Sequence, residues 1–509
     1  MRKVKIVSPR TAAAMITRGA TIATGGFVGC THPEALTLAL EEEFLSNGSP
    51  NGLTLVYAAG QGDGSVRGLN HFGHEGMLKR VIGGHWNLAP AMGRLALDNK
   101  IEAYNFPQGV ISHLFREIAA GNPGRLTHIG LGTFVDPRMD GGKLNSITTE
   151  NLVELIDIGG KTWLLYKTFP IHFGLLRGTA SDSFGNISFA DEVITAEALS
   201  IAQAVKNSGG KVIVQVERIV EDYSQHPQEI KIPGIYVDAI VLADKPHHMQ
   251  TYGEGFNPEY IHQGDIKTLN LPRMEKGPRR YISRRSFKEI TPGDIVNLGI
   301  GLPEGIAQIA KEEGLIDEMT MTVESGPIGG VPASGLSFGA ASFPHAIIDQ
   351  PYMFDFYDGG GLDVAFLGLA ECDHLGNVNV SKFNGRVAGV GGFMNITQTA
   401  RKVIFAGTFT AGGLDIEFRD GRLVIKREGK IDKFVKNVEH ITFSGQYARR
   451  KGQQVMYVTE RAVFELTDTG LKLVEVAPGI DMEKDILRHM AFIPEIAAKI
   501  KTMSSSVFE

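Results

Sequence analysis

Short apolar runs that end in glycine-rich loops recur along this chain. Runs of β-branched and other apolar residues predict strands at residues 21–24, 53–58, 295–298 and 319–323. Polar and apolar residues at helical spacing predict helices at residues 10–18 and 34–45 and after Pro303. Strands that alternate with helices are typical of an α/β fold with an open parallel sheet.

The loop after residues 319–323 carries a candidate reactive group. About twenty residues separate strands 295–298 and 319–323, which is enough for a helical crossover, so the two strands should be parallel. Their following loops then share the sheet edge where open α/β folds bind ligands. Glu324 lies on that edge, near the free backbone N–H groups of a helix start. This placement predicts covalent acyl chemistry with anion stabilisation, and an ordinary surface glutamate is the alternative.

A repeated motif indicates that the chain contains two related halves. Asp182-Ser-Phe-Gly-Asn-Ile and Asp373-His-Leu-Gly-Asn-Val lie 191 residues apart, and the same distance separates Lys211-Val-Ile-Val from Lys402-Val-Ile-Phe. Two matches in one register favour a duplication. We therefore predict two tandem open α/β domains of related topology.

The predicted boundary is a basic, proline-containing stretch. We place an N-terminal domain at residues 1–270, a linker at 271–285 and a C-terminal domain carrying Glu324 at 286–509. The arginines of the linker could be solvent-exposed surface residues or could contact phosphate groups, and the sequence favours neither role. The first half has Ala58-Ala59-Gly60 where the second has its glutamate, so one catalytic carboxylate per chain is expected. Later in the chain we predict strands at 455–458 and 471–476, a helical stretch at 483–490 and a polar tail.

Composition narrows the class of protein. The chain has 509 residues, a net charge of −6 and a pI near 6.2, which argues against nucleic acid as the main partner. Its two cysteines exclude a disulfide framework and fit a reducing compartment. Neither a signal peptide core nor a run of about 20 apolar residues is visible. We expect a cytoplasmic protein without a membrane partner.

Several motifs suggest other chemistry but do not meet its requirements. Gly335-Leu-Ser-Phe-Gly339 fits a hydrolase nucleophile elbow, but a Pro-Ala-Ser segment precedes it instead of a strand. His71, His74 and Glu75 lack zinc-site spacing and are better explained as polar loop residues. No phosphate-binding loop of the ATPase type is present, and Gly389-Val-Gly-Gly-Phe is a weak dinucleotide motif. No metal site is predicted.

The remaining motifs resemble the class I coenzyme A transferases. Thr24-Gly-Gly-Phe with His32-Pro-Glu resembles the first-half signature, and Leu298-Gly-Ile-Gly-Leu-Pro-Glu-Gly its second-half counterpart. Val323-Glu-Ser-Gly stands where the ketoacid transferases have Ser-Glu-Asn-Gly. Phe106-Pro-Gln-Gly and Gly389-Val-Gly-Gly-Phe resemble two further family loops. Segments 133–138 and 456–464 resemble the single-chain propionate and short-chain acyl transferases.

The resemblance implies a ping-pong transfer of CoA from a short-chain acyl-CoA to a free carboxylate such as acetate, through a covalent glutamyl-CoA thioester. It implies no cofactor besides CoA, which is a substrate, and a homotetramer or homodimer. Glu324 is the implied nucleophile. The implied oxyanion or substrate contacts are Gln108, Gly391, Gly392, Gly25 and Gly26. The implied CoA contacts are Asn297, Gly299, Gly301, Pro303 and Gly389.

Two other functions stay open at the level of sequence. An acyl-CoA hydrolase on the same scaffold would form the same intermediate at Glu324 but release only free CoA. A non-enzymatic acyl-CoA sensor is the second alternative, although it would leave Glu324 without a required role. The preferred acyl chain, the acceptor acid and the physiological direction cannot be read from these motifs.

Overall fold

The computed structural model describes residues 2–509, which form ten α-helices and 33 strands. The helices are α1 Pro9–Ala13, α2 Glu34–Asn47, α3 Pro90–Leu97, α4 Gln108–Ala120, α5 Ala198–Asn207, α6 Pro278–Phe287, α7 Gly305–Glu312, α8 Gln350–Asp358, α9 Phe393–Thr399 and α10 Gly445–Arg450. None of the helices within residues 2–509 is both long and apolar enough to cross a bilayer.

The strands are numbered in chain order. Those before α6 are β1 Lys5–Val7, β2 Thr21–Thr24, β3 Leu53–Tyr57, β4 Leu78–Gly83, β5 Glu102–Asn105, β6 Gly124–Thr127, β7 Val153–Ile158, β8 Lys161–Lys167, β9 Phe173–Ser181, β10 Ile187–Ser188, β11 Lys211–Ile219, β12 Ile230–Ile232 and β13 Ala239–Leu242. Those after α6 are β14 Ile295–Leu298, β15 Thr320–Thr322, β16 Pro327–Ile328, β17 Val331–Pro332, β18 Ala341–Ser342, β19 Ala346–Ile347, β20 Val364–Leu367, β21 Glu371–Cys372, β22 Val378–Asn379, β23 Lys382–Phe383, β24 Arg386–Val387, β25 Lys402–Ala406, β26 Thr410–Ala411, β27 Asp415–Arg419, β28 Arg422–Arg427, β29 Ile431–Asp432, β30 Gln454–Val458, β31 Ala462–Thr467, β32 Gly470–Val476 and β33 Glu495–Thr502.

The chain forms two compact units that are discontinuous in sequence. The first comprises Met1–Gly264, Val323–Asp355 and Asn384–Asn395, and the second Asp265–Thr322, Phe356–Phe383 and Ile396–Glu509. Glu324 therefore belongs to the first unit, although it follows a strand of the second. The domain boundaries proposed from sequence remain a prediction. Part of the segment proposed as a linker forms helix α6.

A parallel sheet organises the first unit. Its strand order is β1-β13-β11-β9-β2-β3-β4-β5, and every neighbouring pair along this path is parallel. The strands are apolar on both faces, as expected when helices cover both sides of a parallel sheet. Ile22, Leu55 and Val81 from three of these strands and Leu40 from α2 are fully buried in one core. The loops that leave the carboxyl ends of β2, β3, β4 and β5 consequently lie along one edge.

The second unit repeats part of this topology. Its sheet contains β15-β14-β20-β25-β30 as parallel neighbours, followed by the antiparallel strands β31 and β32 and by β33, which is parallel to β32. The order β3-β2-β9-β11-β13 of the first unit matches β15-β14-β20-β25-β30 of the second. The α/β fold with two related parallel sheets is confirmed, as is the parallel pairing of the strands at 295–298 and 319–323.

The motif that indicated the duplication folds into the same turn twice. In the first unit, the Asp182 carboxylate accepts hydrogen bonds from the backbone and side-chain amides of Asn186, whose side-chain oxygen Oδ1 accepts from the Gly234 N–H. In the second, Asp373 and Asn377 make the same contacts, and the Gly445 N–H takes the place of Gly234. The same three hydrogen bonds therefore form in each unit, which gives the two motifs the same structural role.

Two local expectations were wrong, and a third was confirmed in an irregular form. The helix expected at residues 10–18 ends at Ala13, because the chain turns before β2. The helical stretch expected at 483–490 is present, as a π turn at Met482–Ile486 followed by a 3₁₀ turn at Leu487–His489. Most of the expected polar tail forms β33, a mainly exposed strand whose pairing with β32 is set by tertiary contacts.

Candidate active site

Glu324 sits on a tight turn that only glycine allows. The Gly326 N–H donates to the Val323 carbonyl, and Gly326 has φ = +139°, in the region that favours glycine. A Cβ added at Gly326 would lie 2.2 Å from the Ile348 carbonyl oxygen. The next hydroxyl, of the fully buried Ser325, donates to the Gly339 carbonyl at 2.6 Å. The backbone on both sides of the half-buried Glu324 is thereby fixed.

The glycine pair 391–392 packs directly against this carboxylate. A Cβ added at Gly392 would lie 3.2 Å from Cγ and 3.3 Å from Oε1 of Glu324. At Gly391 the equivalent atom would lie 3.7 Å from Oε1 of Gln108. The structure therefore brings together four residues that the sequence proposed for one site: Glu324, Gln108, Gly391 and Gly392.

The loop that carries these glycines is held by residues after β4 and β5. The buried Asn105 donates to the carbonyls of Gly83 and Gly84, and its own carbonyl oxygen accepts from the Val390 N–H at 2.9 Å. The Gly391 N–H donates to the Gly84 carbonyl at 2.8 Å. This bond occupies one of the two N–H groups proposed as oxyanion donors. No hydrogen bond from the Gly392 N–H is found among residues 2–509.

Gln108 begins α4 and reaches the same loop. Its backbone N–H donates to the Gly391 carbonyl at 2.9 Å, and its side chain is buried. Its Nε2 donates to Oε1 of Gln350 at 3.2 Å. The side-chain oxygen of Gln108 is the end that lies beside Gly391.

His85 is a site neighbour that the sequence analysis missed. It follows β4, and a Cβ added at Gly391 would lie 3.7 Å from its Cδ2. Burial lowers the pKa of the His85 imidazole to about 4, so the ring is neutral at pH 7. The sequence feature that could have indicated it is a histidine that follows Gly83 and Gly84 at the end of β4.

Gly25 and Gly26 lie in a neighbouring loop of the same unit. Both are buried, and a Cβ on Gly26 would lie within 3.1 Å of His32 backbone atoms. Phe27 in this loop packs against Phe338, with ring centroids 5.6 Å apart. Phe338 precedes the glycine whose carbonyl binds the Ser325 hydroxyl, so the loop supports the segment that carries Glu324.

The residues proposed for CoA binding are divided between the units. Gly389 lies in the first unit, and a Cβ there would come within 2.8 Å of the Trp86 backbone nitrogen. Asn297 lies in the second unit, and its buried amide donates to the Thr322 carbonyl and the Tyr357 hydroxyl. The side chain of Asn297 is thus used inside the unit, whereas Gly301, with φ = +88°, is exposed at the tip of the following loop. Gly299 is half-buried and Pro303 is buried.

The two histidines that lack zinc-site spacing, His71 and His74, belong to a network with glutamate side chains. His71 contacts Glu41 at 2.6 Å and Glu34 at 3.0 Å, and His74 contacts Glu41 at 2.6 Å. Burial alone would raise the pKa of Glu34, but hydrogen bonds from His71 and Tyr252 more than offset it and lower that pKa to about 2. Within residues 2–509 no cluster of three or more His, Cys, Asp or Glu side chains suited to a metal ion occurs.

Comparison with known proteins identifies the family. The model of the family described as Coenzyme A transferase matches residues 6–243. The caffeate CoA-transferase of Acetobacterium woodii is 45% identical over 510 residues, which cover 99% of this chain and 97% of that protein. This chain belongs to the coenzyme A transferase family.

Two further comparisons agree with this assignment. The acetate CoA-transferase YdiF of Escherichia coli strain K12 is 42% identical to this CoA-transferase over 512 residues, covering 99% of this chain and 95% of YdiF. The crystal structure of the acyl-CoA transferase (YdiF) apoenzyme from Escherichia coli O157:H7 has a TM-score of 0.94 at 42% identity, covering 100% of this chain and 96% of that one. The enzyme class inferred from the motifs is confirmed.

Proposed function

We propose that this CoA-transferase works by a ping-pong mechanism in which Glu324 is the nucleophile and forms a covalent thioester with CoA. The observation that carries the proposal is the contact of the Glu324 side chain with Gly392 at the edge of a parallel sheet. A related structure, from the Escherichia coli O157:H7 enzyme at 41% identity, is described as a thioester complex with CoA. That description supports the same chemistry in this chain.

The chemistry needs no external proton donor in its first steps. The Glu324 carboxylate attacks the acyl-CoA carbonyl, the C–S bond breaks, and an acyl-glutamyl anhydride and CoA thiolate result. The thiolate then attacks the glutamyl carbonyl of the anhydride, which forms the glutamyl-CoA thioester and releases the first acid as its carboxylate. A second carboxylate repeats the steps in reverse and leaves with CoA. A carboxylate is ionised at pH 7 but weakly nucleophilic, so the site must stabilise each oxyanion.

The Gly392 N–H is our candidate donor for these oxyanions. The Gly391 N–H is engaged by Gly84 and is a candidate only if that bond opens. One preorganised donor of this kind is worth about 10²–10³ in rate. Gln108 is proposed to contact the substrate carboxyl, with Gly25 and Gly26 contributing to its pocket. The loop from Gly299 to Pro303, together with Gly389, is proposed to contact CoA.

Short-chain acyl-CoA and a free carboxylate such as acetate are the proposed substrate pair. The YdiF relative is named an acetate CoA-transferase. The Acetobacterium woodii relative is named for caffeate, which makes a larger aromatic acid the second candidate. No cofactor besides substrate CoA is proposed. We also propose a homodimer or homotetramer in the cytoplasm, consistent with two free, buried cysteines.

Replacement of the nucleophile tests the mechanism. We expect Glu324→Gln to lower transfer at least about a hundredfold, because an amide keeps the size but not the nucleophilicity of the carboxylate. Glu318→Gln, which changes an exposed carboxylate shortly before β15, should keep near wild-type activity. Retention of more than about a tenth of the activity by Glu324→Gln, after deamidation is excluded by mass, would refute the assignment.

The covalent state can be trapped directly. With acyl-CoA and no acceptor acid, the enzyme should release free acid and hold CoA on Glu324. Borohydride reduces a thioester but not a carboxylate, so it should inactivate only enzyme treated with acyl-CoA, and excess acetate should protect. Peptide mapping should find the Glu324 carboxyl converted to an alcohol. Reduction at another residue would contradict the glutamyl thioester.

A panel of acceptors separates transferase from hydrolase and sets the substrate class. Acetate, propionate, butyrate and caffeate are offered to enzyme loaded with acetyl-CoA or propionyl-CoA. A transferase converts the added acid to its CoA ester, whereas a hydrolase releases CoA at a rate that no acceptor changes. The acid with the highest kcat/KM identifies the preferred class. Caffeate as the best acceptor would overturn the short-chain proposal.

A further inference from the structure

Gln108 is joined to a buried carboxylate by a chain of side-chain hydrogen bonds. Nε2 of Gln108 donates to Oε1 of Gln350 at 3.2 Å, and Nε2 of Gln350 donates to Oε2 of Glu197 at 2.8 Å. All three side chains are at most 2% exposed. These bonds link Glu197 and Gln350 to the proposed site through the side chain of Gln108.

The two hydrogen-bonded glutamine side chains both donate in the same direction, towards Glu197. In the structure, Oε2 of Glu197 accepts the hydrogen bond, and the Gln350 amide turns its nitrogen towards Glu197 and its oxygen towards Gln108. Gln108 must then turn its own nitrogen towards Gln350. As a result, the oxygen of Gln108 faces Gly391, and one hydrogen on its Nε2 remains for another acceptor.

Two further hydrogen bonds hold the segments that carry Gln350 and Glu197 together. The Gln350 N–H donates to the Ala196 carbonyl at 2.9 Å, and the Thr195 hydroxyl donates to the Asp349 carboxylate. Ala196 has φ = +48°, a conformation that L-residues with a side chain rarely adopt. Such local strain persists only where many surrounding contacts hold the backbone in place, and it is concentrated at functional sites. Here it brings the Ala196 carbonyl and the Glu197 side chain to the same glutamine.

We propose that Glu197 and Gln350 are positioning residues that fix which end of the Gln108 amide faces the reacting carboxyl at Glu324. The inference rests on the proposed role of Gln108 as a substrate contact. An amide without this support can turn about its last bond and present either oxygen or nitrogen. The fixed orientation keeps the same group at the site in both halves of the ping-pong cycle.

The test is a double-mutant cycle read on kcat. Glu197→Leu removes the acceptor at the end of the chain and should lower kcat about tenfold in the wild-type background. In the Gln108→Ala background the same change should lower kcat by less than about twofold, because the amide that it orients is absent. The KM for acyl-CoA should stay within about twofold throughout. A purely structural role would give similar losses in both backgrounds, and that result would overturn the inference.

Glu197→Gln is the matched control. Burial raises the pKa of Glu197 to about 8, so the carboxyl is mostly protonated at pH 7, and glutamine copies its shape and its carbonyl acceptor. We expect this variant to keep at least about a third of the wild-type kcat. A loss equal to that of Glu197→Leu would contradict the acceptor role. If Glu197→Leu does not fold, Gln350→Ala can replace it in the double-mutant cycle with Gln108→Ala. A smaller loss of kcat in the Gln108→Ala background would support the inference, and equal losses in both backgrounds would overturn it.

The outcomes also separate this inference from the proposed function. Full activity of Gln108→Ala would remove Gln108 from the site and overturn this inference, whereas the Glu324 mechanism would still stand or fall with Glu324→Gln. Strong loss in Gln108→Ala with additive effects of Glu197→Leu would keep the proposed function and overturn only the positioning role.

Discussion

At the scale of single residues, the catalytic proposal depends on how closely a backbone approaches a carboxylate. The Gly392 Cα carries no side chain, and a methyl group there would press on Glu324 at 3.2 Å. Gly392 has no left-handed φ, so alanine at this position is not excluded by the backbone itself. Any effect of the substitution should therefore report on the contact with Glu324.

We expect Gly392→Ala to lower kcat roughly tenfold or more, because small displacements of a reacting group cost large factors in rate. Thermal stability should change little. Gly255→Ala is the matched control: the residue lies in the same unit, has no left-handed φ and has nothing within 4 Å of an added Cβ. Steady-state kinetics and melting curves of both variants check the prediction. Unchanged kcat in Gly392→Ala would argue against a tight site around Glu324.

The sequence predicted some site residues and not others for a clear physical reason. Glu324 could be placed because a strand, its end and the following turn are local features. That Gly84 binds the Gly391 N–H could not be predicted, because the two residues lie some 300 positions apart and meet only after folding. The same holds for Glu197 and Gln350, whose importance comes from partners far along the chain.

At the scale of elements, the duplicated turns offer a matched pair of stability tests. Asn186 and Asn377 each bridge an aspartate and a glycine N–H. Alanine at either position removes the side-chain bonds to the aspartate Oδ2 and the glycine N–H, while Oδ1 of the aspartate keeps its backbone donors. A buried group left without its partner costs about 1–3 kcal/mol. We expect each variant to lose stability by a similar amount in denaturant titrations. If either variant changed the free energy of unfolding by less than about 0.5 kcal/mol, the turn would contribute little to the stability of its unit.

Secondary structure was predictable where the pattern is local and strong. The strands β2 and β14 were predicted with their observed bounds, and α2 to within two residues at its end. β33 was missed because most of its side chains are exposed and its apolar residues do not alternate. Its position is fixed by β32, including the Lys472–Glu495 ion pair at 2.7 Å, and an edge strand of this kind leaves little trace in the sequence.

At the scale of the whole molecule, the two units contain sheets of matching strand order, but the residues that follow corresponding strands differ. Both units place glycine-rich loops at the carboxyl ends of their strands. Only the chain after β15 carries a glutamate there, whereas Ala58-Ala59-Gly60 follow β3. The fold class was predictable from this duplicated pattern, and the family was predictable from its motifs. The grouping of Glu324 with the first unit was not, because chain order alone assigns it to the second half.

The pH dependence of stability tests the burial of Glu197 in the intact enzyme. Burial raises the pKa of its carboxyl from 4.5 to about 8, so between these values the unfolded chain releases a proton that the folded protein keeps. Stability should therefore fall as the pH rises through this interval. Glu197→Gln lacks the titration, so its stability relative to wild type should rise by ~1 kcal/mol or more between about pH 5 and pH 8, since one pKa unit corresponds to about 1.4 kcal/mol.

Other titrating groups do not obscure this difference. Glu34, with its pKa lowered to about 2, and His71, whose pKa is raised because bonds to Glu34 and Glu41 outweigh its burial, titrate alike in both proteins. Their contributions therefore cancel when the two stability curves are subtracted. Denaturant titrations at matched pH values provide the curves. A difference that stays flat from about pH 5 to pH 8 would mean that Glu197 is ionised in the folded enzyme, and glutamine would then no longer be its isosteric copy.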